Sequence, residues 1–157
     1  SLAAIEKRKG LEQRESIDIQ VLFDDVTDSL LPVAHRKEIT MQTSLTENVQ
    51  WFGEYFLLRQ AVANLVHNAI DFSPAGGLIE IEAGALKIII RDSGSGIPDY
   101  AVDRVFERFY SLPRSEGGSK SSGLGLNFVR EVARLHGGDV TLKNRPEGGT
   151  EAVLTIG

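Results

Sequence analysis

Apolar side chains recur at three- and four-residue spacing in two strong segments of the chain. From Glu54 to Phe72, Leu57, Leu58, Ala61, Val62, Leu65, Val66, Ala69 and Ile70 form one stripe, the pattern of an amphipathic helix with its apolar face inward. The second such helix is expected over Leu124–His136, and a weaker one over Val21 to Lys37, where Leu22, Val26, Leu30 and Val33 suit the period and Pro32 is a local objection. Alternating or continuous apolar runs predict strands at Ser16–Gln20, Glu38–Leu45, Val49–Phe52, Leu78–Ala83, Leu86–Arg91, Asp139–Asn144 and Thr150–Ile156. A short helix is expected near Asp99–Phe106. Helices do not alternate strictly with strands, which favours an α+β fold with a mixed sheet and helices on one face. Residues 1–15 carry Leu2, Ile5 and Lys9 on one side with charges elsewhere, and read as the end of a helix, an arm preceding a domain at 16–157.

Composition narrows the function classes. The chain has 157 residues, the size of one domain. A net charge of −5 argues against a nucleic-acid binder, which needs a basic face. With no cysteine, disulfide scaffolds, cysteine-ligated zinc and thiol catalysis are excluded; with three histidines, a multi-histidine metal site is disfavoured. No run approaches the roughly 18 apolar residues of a membrane span, and no signal-peptide pattern opens the chain, so it is expected to be cytoplasmic and without membrane contact. Glycine is enriched, at 16 copies.

Three segments could carry chemistry. On the Glu54–Phe72 helix, Asn64, Asn68 and Asp71 fall at i, i+4 and i+7 along one edge of the apolar face. Their oxygens could hold a hydrated divalent cation, or could serve neighbouring backbone groups. After the most apolar strand comes Arg91-Asp-Ser-Gly-Ser-Gly-Ile-Pro98. Asp92 could accept from an exocyclic amine while Gly94 and Gly96 let a flat ligand approach; an ordinary Asp-Ser-Gly turn is the alternative. Ser111–Gly123 holds five serines and three glycines and leads into Gly123-Leu-Gly-Leu126, a glycine-rich entry to a helix N-terminus that suits phosphate. Residues 108–123 carry Arg108, Arg114 and Lys120 against Glu116, a local charge of +2 in an acidic chain. Neither a Gly-x4-Gly-Lys-[Ser/Thr] loop nor a Gly-x-Gly-x-x-Gly fingerprint is present.

In order, Asn64-Leu-Val-His-Asn-Ala69, Asp92-Ser-Gly-Ser-Gly-Ile97, Phe106-Glu-Arg-Phe-Tyr110, Gly123-Leu-Gly-Leu126 and Gly148-Gly-Thr150 resemble the motif set of the ATP-binding catalytic domain of bacterial sensor histidine kinases. The runs Gly94–Tyr100, Phe106–Arg114 and Lys120–Gly123 are similar to the CreC subgroup of that family. The resemblance implies a Bergerat (GHKL-type) two-layer α/β sandwich that binds ATP and Mg²⁺. It implies that Asn68 holds the metal with Asn64 beside it, both counted as catalytic, and that Asp92 meets the adenine amine. Gly94 and Gly96 would shape the base pocket, and Phe72, Ile97 and Thr150 are counted with them as nucleotide-binding. Residues from about Ser111 to Ser122 would form a lid, and Gly123, Leu124, Gly125 and Leu126 would meet the phosphates. Arg108, Phe109, Tyr110 and Lys120 would complete the nucleotide site together with Asp71.

The chain departs from that pattern at three places. Hydrolytic relatives carry a glutamate four residues before the magnesium asparagine; here Asn64 offers no basic carboxylate, which favours transfer to a protein over hydrolysis. Asp71 stands where a lysine is usual and Ser111 where an arginine is common, so Arg108 and Lys120 are expected to offset the charge of Asp71. None of His35, His67 and His136 has phosphoacceptor surroundings; His35 and His136 read as surface residues at helix ends and His67 as solvent- or partner-facing. The acceptor histidine would lie on the protein's own dimerisation domain, with a response regulator downstream. This piece is then expected to be monomeric and the full-length protein an inner-membrane-anchored homodimer. A same-fold serine kinase and a non-catalytic nucleotide-sensing or docking module are the alternatives.

Overall fold

Helix α3, Tyr55–Phe72, sits at the centre of the helical layer, packed on both neighbouring helices, and of its apolar stripe Leu58, Ala61, Val62, Leu65, Val66, Ala69 and Ile70 are buried while Leu57 is half-buried. A computed structural model describes residues 2–46, 49–107 and 125–157. Among them the order is α1 (Leu2–Glu6), β1 (Glu15–Asp18), α2 (Ile19–Arg36), β2 (Thr40–Leu45), β3 (Gln50–Gly53), α3, β4 (Leu78–Ala83), β5 (Lys87–Arg91), a 3-10 turn (Asp99–Ala101), α4 (Gly125–Leu135), β6 (Val140–Asn144) and β7 (Thr150–Thr155).

Five strands form one sheet in the order β2-β4-β5-β7-β6. β2 and β4 are parallel, with α3 in the crossover between them, and the remaining pairs are antiparallel. The strands alternate as their sequence requires. Ile79, Ile81, Ile88, Ile90, Ala152 and Leu154 are buried in one core with the apolar faces of α2, α3 and α4. The opposite face is polar, and on it Arg91 bridges Glu82 and Glu151, each at 2.8 Å, across three strands. This is the expected α+β sandwich, a mixed sheet covered by helices on one side. β1 and β3 make a separate antiparallel pair whose inward residues, Ile17 and Trp51, enter the same core.

Local chemistry explains the boundaries. The carboxylate of Asp18 caps α2 by accepting from Gln20 N (2.9 Å) and Val21 N (3.4 Å). Pro32 lies inside α2 without ending it. The proline and Asp28, whose carbonyl loses its helical partner there, are both exposed, so water can satisfy the freed group while Leu30 and Ala34 stay buried. Helix α3 ends at Ser73, whose backbone N–H and hydroxyl both donate to Ala69 O, at 3.1 and 2.8 Å. Lys37 adds a second cap, its ammonium donating to the carbonyls of Ile70 (3.0 Å) and Asp71 (3.1 Å).

The N-terminal helix extends only over Leu2–Glu6, and residues 7–14 are irregular. Leu2 and Ile5 are buried, and α1 packs on α4. The arm is tied further by Arg8, which donates to both carboxylate oxygens of Glu54, and by Arg134, which reaches Arg8 O at 3.3 Å. The reading of His136 as a surface residue is corrected by the structure: it is 8% exposed. Its position just past the last turn of α4 turns the ring inward against the start of α3, where its Nε2 accepts from Glu54 N at 3.1 Å.

Candidate functional site

The continuous apolar run of β5 ends at Arg91, and the next residue is a carboxylate that the fold buries. Asp92 is 1% exposed. Burying a carboxylate is costly unless donors replace water, and three converge on it. Gly94 N (2.8 Å) and Thr150 N (3.2 Å) donate to Oδ1, and the Thr150 hydroxyl donates to Oδ2. Thr150 opens β7, the neighbour of β5, so the sheet itself sets this geometry.

Glycine is required where the loop leaves the strand. A Cβ on Gly94 would lie 2.4 Å from the carbonyl oxygen of Phe72, at the end of α3. Gly96 has φ of +85°, in the left-handed region, and a Cβ there would meet Asn144 Oδ1 at 2.7 Å. Ile97 then turns into a small apolar cluster with Ala101 and Val105, against which Phe72, Phe106, Leu126 and Leu142 pack.

Between α3, the ends of β5 and β7, and the start of α4 lies a narrow cleft. Asn68, Phe72, Asp92, Leu126 and Thr150 line it, over a floor of Leu65, Ala69 and Ile90. Residues far apart in sequence thus line one cleft. Asn64 stands one turn before Asn68; its Nδ2 donates to Gly125 O at 3.2 Å, and its Oδ1 accepts from Gln60 at 2.7 Å. Helix α3 is therefore tied by a side-chain amide to the first residue of α4.

The other expected site residues are placed differently. Gly94, Gly96 and Ile97 shape the loop behind the cleft instead of lining it. The side chain of Asp71 is not in the cleft lining; its Oδ2 is 3.3 Å from Nδ1 of His67, one turn back on the same helix. Arg108, Phe109, Tyr110, Lys120, Gly123 and Leu124 lie outside the described residues, as does the proposed lid from Ser111 to Ser122.

Two residues around the site carry no motif signal. Asn144, the last residue of β6, and Arg145, the first of the turn that follows, hydrogen-bond to Ile97 and to Asp92 O respectively. In sequence Asn144 reads only as the end of the strand Asp139–Asn144, and Arg145 as part of the connection that holds Pro146-Glu-Gly-Gly149.

Comparison with known proteins agrees with this geometry. Residues 53–157 match the family described as histidine kinase-, DNA gyrase B- and HSP90-like ATPase. The sensor protein CreC of Escherichia coli (strain K12) is 48% identical over 96% of this chain and 33% of its own length. The structure of the ATP-binding domain of PrrB from Mycobacterium tuberculosis superimposes with a TM-score of 0.72 at 29% identity, covering 92% of this chain and 97% of that one. The catalytic domain of the histidine kinase ThkA shares the fold, with a TM-score of 0.80 at 22% identity over 92% of this chain and 97% of that one. The chain spans about a third of the length of the curated relatives it matches. Five motifs in order, a buried carboxylate facing an asparagine-bearing helix across a narrow cleft, and a family match over two thirds of the sequence lead to one assignment: the chain belongs to the histidine kinase-, DNA gyrase B- and HSP90-like ATPase family.

Proposed function

We propose that this chain is the catalytic domain of a two-component sensor histidine kinase, which binds Mg·ATP and donates the γ-phosphate to a histidine on a separate dimerisation domain. The observation that carries the reading is Asp92: a buried carboxylate held by Gly94 and Thr150, lining a cleft beside Asn68 and Leu126. An ionised carboxylate only accepts, so it selects a base that presents an amine hydrogen, as adenine does. Phe72, Leu65 and Ile90 supply apolar surface for a flat ring.

The phosphates then fall toward the start of α4, where helix N–H groups face solvent or ligand. Gly123, Leu124, Gly125 and Leu126 are assigned there, with Arg108, Phe109, Tyr110 and Lys120 contributing from the segment before them. Asn68, with Asn64 beside it, would hold Mg²⁺ through neutral oxygens, which suits an ion that keeps several waters. The ion would offset the charge of the phosphates. Asn64 also orients the start of α4 through Gly125 O. It has no basic carboxylate to activate water, so ATP is kept for transfer. That transfer depends mainly on positioning and charge stabilisation.

The acceptor histidine belongs to the protein's own dimerisation domain, to which residues 1–15 form the junction, and a response regulator receives the phosphate. In this reading the full-length protein is a membrane-anchored homodimer with this domain in the cytoplasm, and it binds no nucleic acid. Among the described residues no helix is long and apolar enough to cross a membrane.

The test is two-stage. The purified chain is titrated with a fluorescent ATP analogue, with and without Mg²⁺, and then mixed with radiolabelled ATP and the separately expressed acceptor-helix domain. Saturable Mg²⁺-dependent binding followed by acid-labile label on the acceptor supports the kinase. Binding without transfer would favour a nucleotide-sensing module, and no binding at millimolar ATP would favour a docking module.

A further inference from the structure

On the reading that the cleft takes adenine, we propose that Asn144 and Arg145 are positioning residues for nucleotide recognition. They form a two-residue clasp, from the end of β6 and the start of the turn that follows, that holds the loop of residues 92–97 in its base-binding shape.

The Oδ1 of Asn144 accepts from Ile97 N at 2.6 Å, and its Nδ2 donates to Ile97 O at 2.8 Å. One side-chain amide thus satisfies both backbone groups of a residue six positions beyond the end of β5. It acts as a strand partner would, at a place where the loop has left the sheet. Arg145 holds the other end of the loop, with Nη1 donating to Asp92 O at 2.8 Å. Asp92 N donates in turn to Thr150 O at 3.0 Å. Both backbone groups of the base-recognising residue are therefore fixed, one by Arg145 in the turn and the other by the first residue of β7.

The fit is close because the turn is free of side chains where it passes the loop. A Cβ on Gly149 would lie 2.0 Å from Asp92 O. The Arg145 side chain is 17% exposed and also faces Glu147 at 3.6 Å, so it is held in place rather than swinging in solvent. Neither Asn144 nor Arg145 lines the cleft, and neither belongs to the main core. Their effect on a ligand must pass through the loop, and their loss leaves the packing of the sheet on α3 untouched.

The experiment compares wild type, Asn144→Ala, Arg145→Ala, Arg145→Lys and Lys143→Ala. Kd for Mg·ATP and Mg·GTP, thermal midpoint, and amide exchange of Gly94–Ile97 are measured on the purified chain. Two hydrogen bonds of ordinary net strength set the expected weakening of ATP binding at about 5- to 150-fold for Asn144→Ala, and one sets it at about 10-fold for Arg145→Ala. The ATP-to-GTP preference falls with it, and amide exchange in the loop accelerates without nucleotide. In transfer assays the loss appears in KM for ATP more than in the saturated rate. Arg145→Lys, which keeps a cationic donor, recovers part of the affinity. Lys143→Ala, on the exposed face of β6, binds as wild type does. If wild type binds ATP and both alanine variants bind within twofold of it, the clasp is overturned. A lowered thermal midpoint with unchanged base preference and unchanged loop exchange overturns it as well. No ATP binding by wild type overturns the reading of the cleft itself, and the clasp's role with it.

Discussion

His136 and Glu54, 82 residues apart in sequence, meet through the Nε2 of the imidazole, which accepts the backbone N–H of Glu54 at 3.1 Å. The other ring nitrogen, Nδ1, lies 2.8 Å from Val132 O, an acceptor. Together these partners require the neutral tautomer with hydrogen on Nδ1. The contact joins the end of α4 to the start of α3, the two helices that frame the cleft. It also explains Gly53, where a Cβ would fall 2.5 Å from Nε2.

Burial pushes the His136 pKa below its ordinary value of 6.5, outweighing the Val132 carbonyl and the Glu54 carboxylate, which favour the cation; Arg8 and Arg14 also disfavour it. Because the folded state then binds fewer protons than the unfolded chain, this contribution to stability is full above about pH 6.5 and is lost as pH falls below it. The thermal midpoint is expected to decline from pH 7 toward pH 5. In His136→Gln, which keeps an acceptor but cannot titrate, that part of the slope should be absent. An identical slope in the variant would assign it to other groups.

The ion pair between Arg8 and Glu54 tethers the N-terminal arm. Desolvation would raise the Glu54 pKa, but hydrogen bonds from Arg8 and Glu12 N and the positive charge of Arg8 hold it below the usual carboxylate value. Its contribution is therefore present above about pH 4.5 and is lost on acidification below that value. The side chains are 17% and 13% exposed, so the pair is more than a surface contact. Arg8→Ala should cost about 1–3 kcal/mol in chemical denaturation and accelerate amide exchange in residues 2–12. Full protection of that segment in the variant would show that Leu2 and Ile5 hold the arm unaided.

Asp92→Asn replaces an acceptor-only group by one that also carries donors. The variant should retain its fold, because Thr150 and Gly94 can still donate to an amide oxygen. Loss of a charge-assisted hydrogen bond to the base should weaken ATP binding by roughly 10- to 100-fold. Calorimetric titration with Mg·ATP is the direct check, and affinity unchanged from wild type would remove Asp92 from the site.

Gly94→Ala tests the loop sterically. The new methyl would sit 2.4 Å from Phe72 O, a backbone atom that cannot swing aside. The expected result is a stability loss of about 1–3 kcal/mol together with impaired nucleotide binding. Ser93→Ala, at the exposed neighbouring position, should show neither.

Most of the architecture can be read along the chain because it follows from periodicity. The stripe from Leu57 to Ile70 can bury only one helix face, and the alternation of Ile79, Ile81, Ile88 and Ile90 can bury only one sheet face. Helix over sheet is the packing that hides both. Pro32 was a false obstacle, since its cost depends on whether the freed carbonyl reaches water, and exposure is a tertiary property. The helix expected over residues 1–15 is only one turn and a half, because Arg8 leaves the helical path to pair with Glu54.

Within the candidate site, Asn64, Asn68, Asp92 and the two loop glycines could be picked out from sequence because each stands out as a particular residue type at a particular spacing. Asn144, Arg145, Lys37 and His136 were not. Each acts through a side chain that reaches a backbone group at least 33 residues away or, for His136, through a ring turned inward at a helix end. Local patterning carries the period of an element and the chemistry of a short motif, since both depend on neighbours in sequence. Which distant carbonyl or N–H a polar side chain will satisfy depends on how the elements stack. The burial of Asp92 and the clasp around it were therefore decided only when the sheet brought β7 alongside β5.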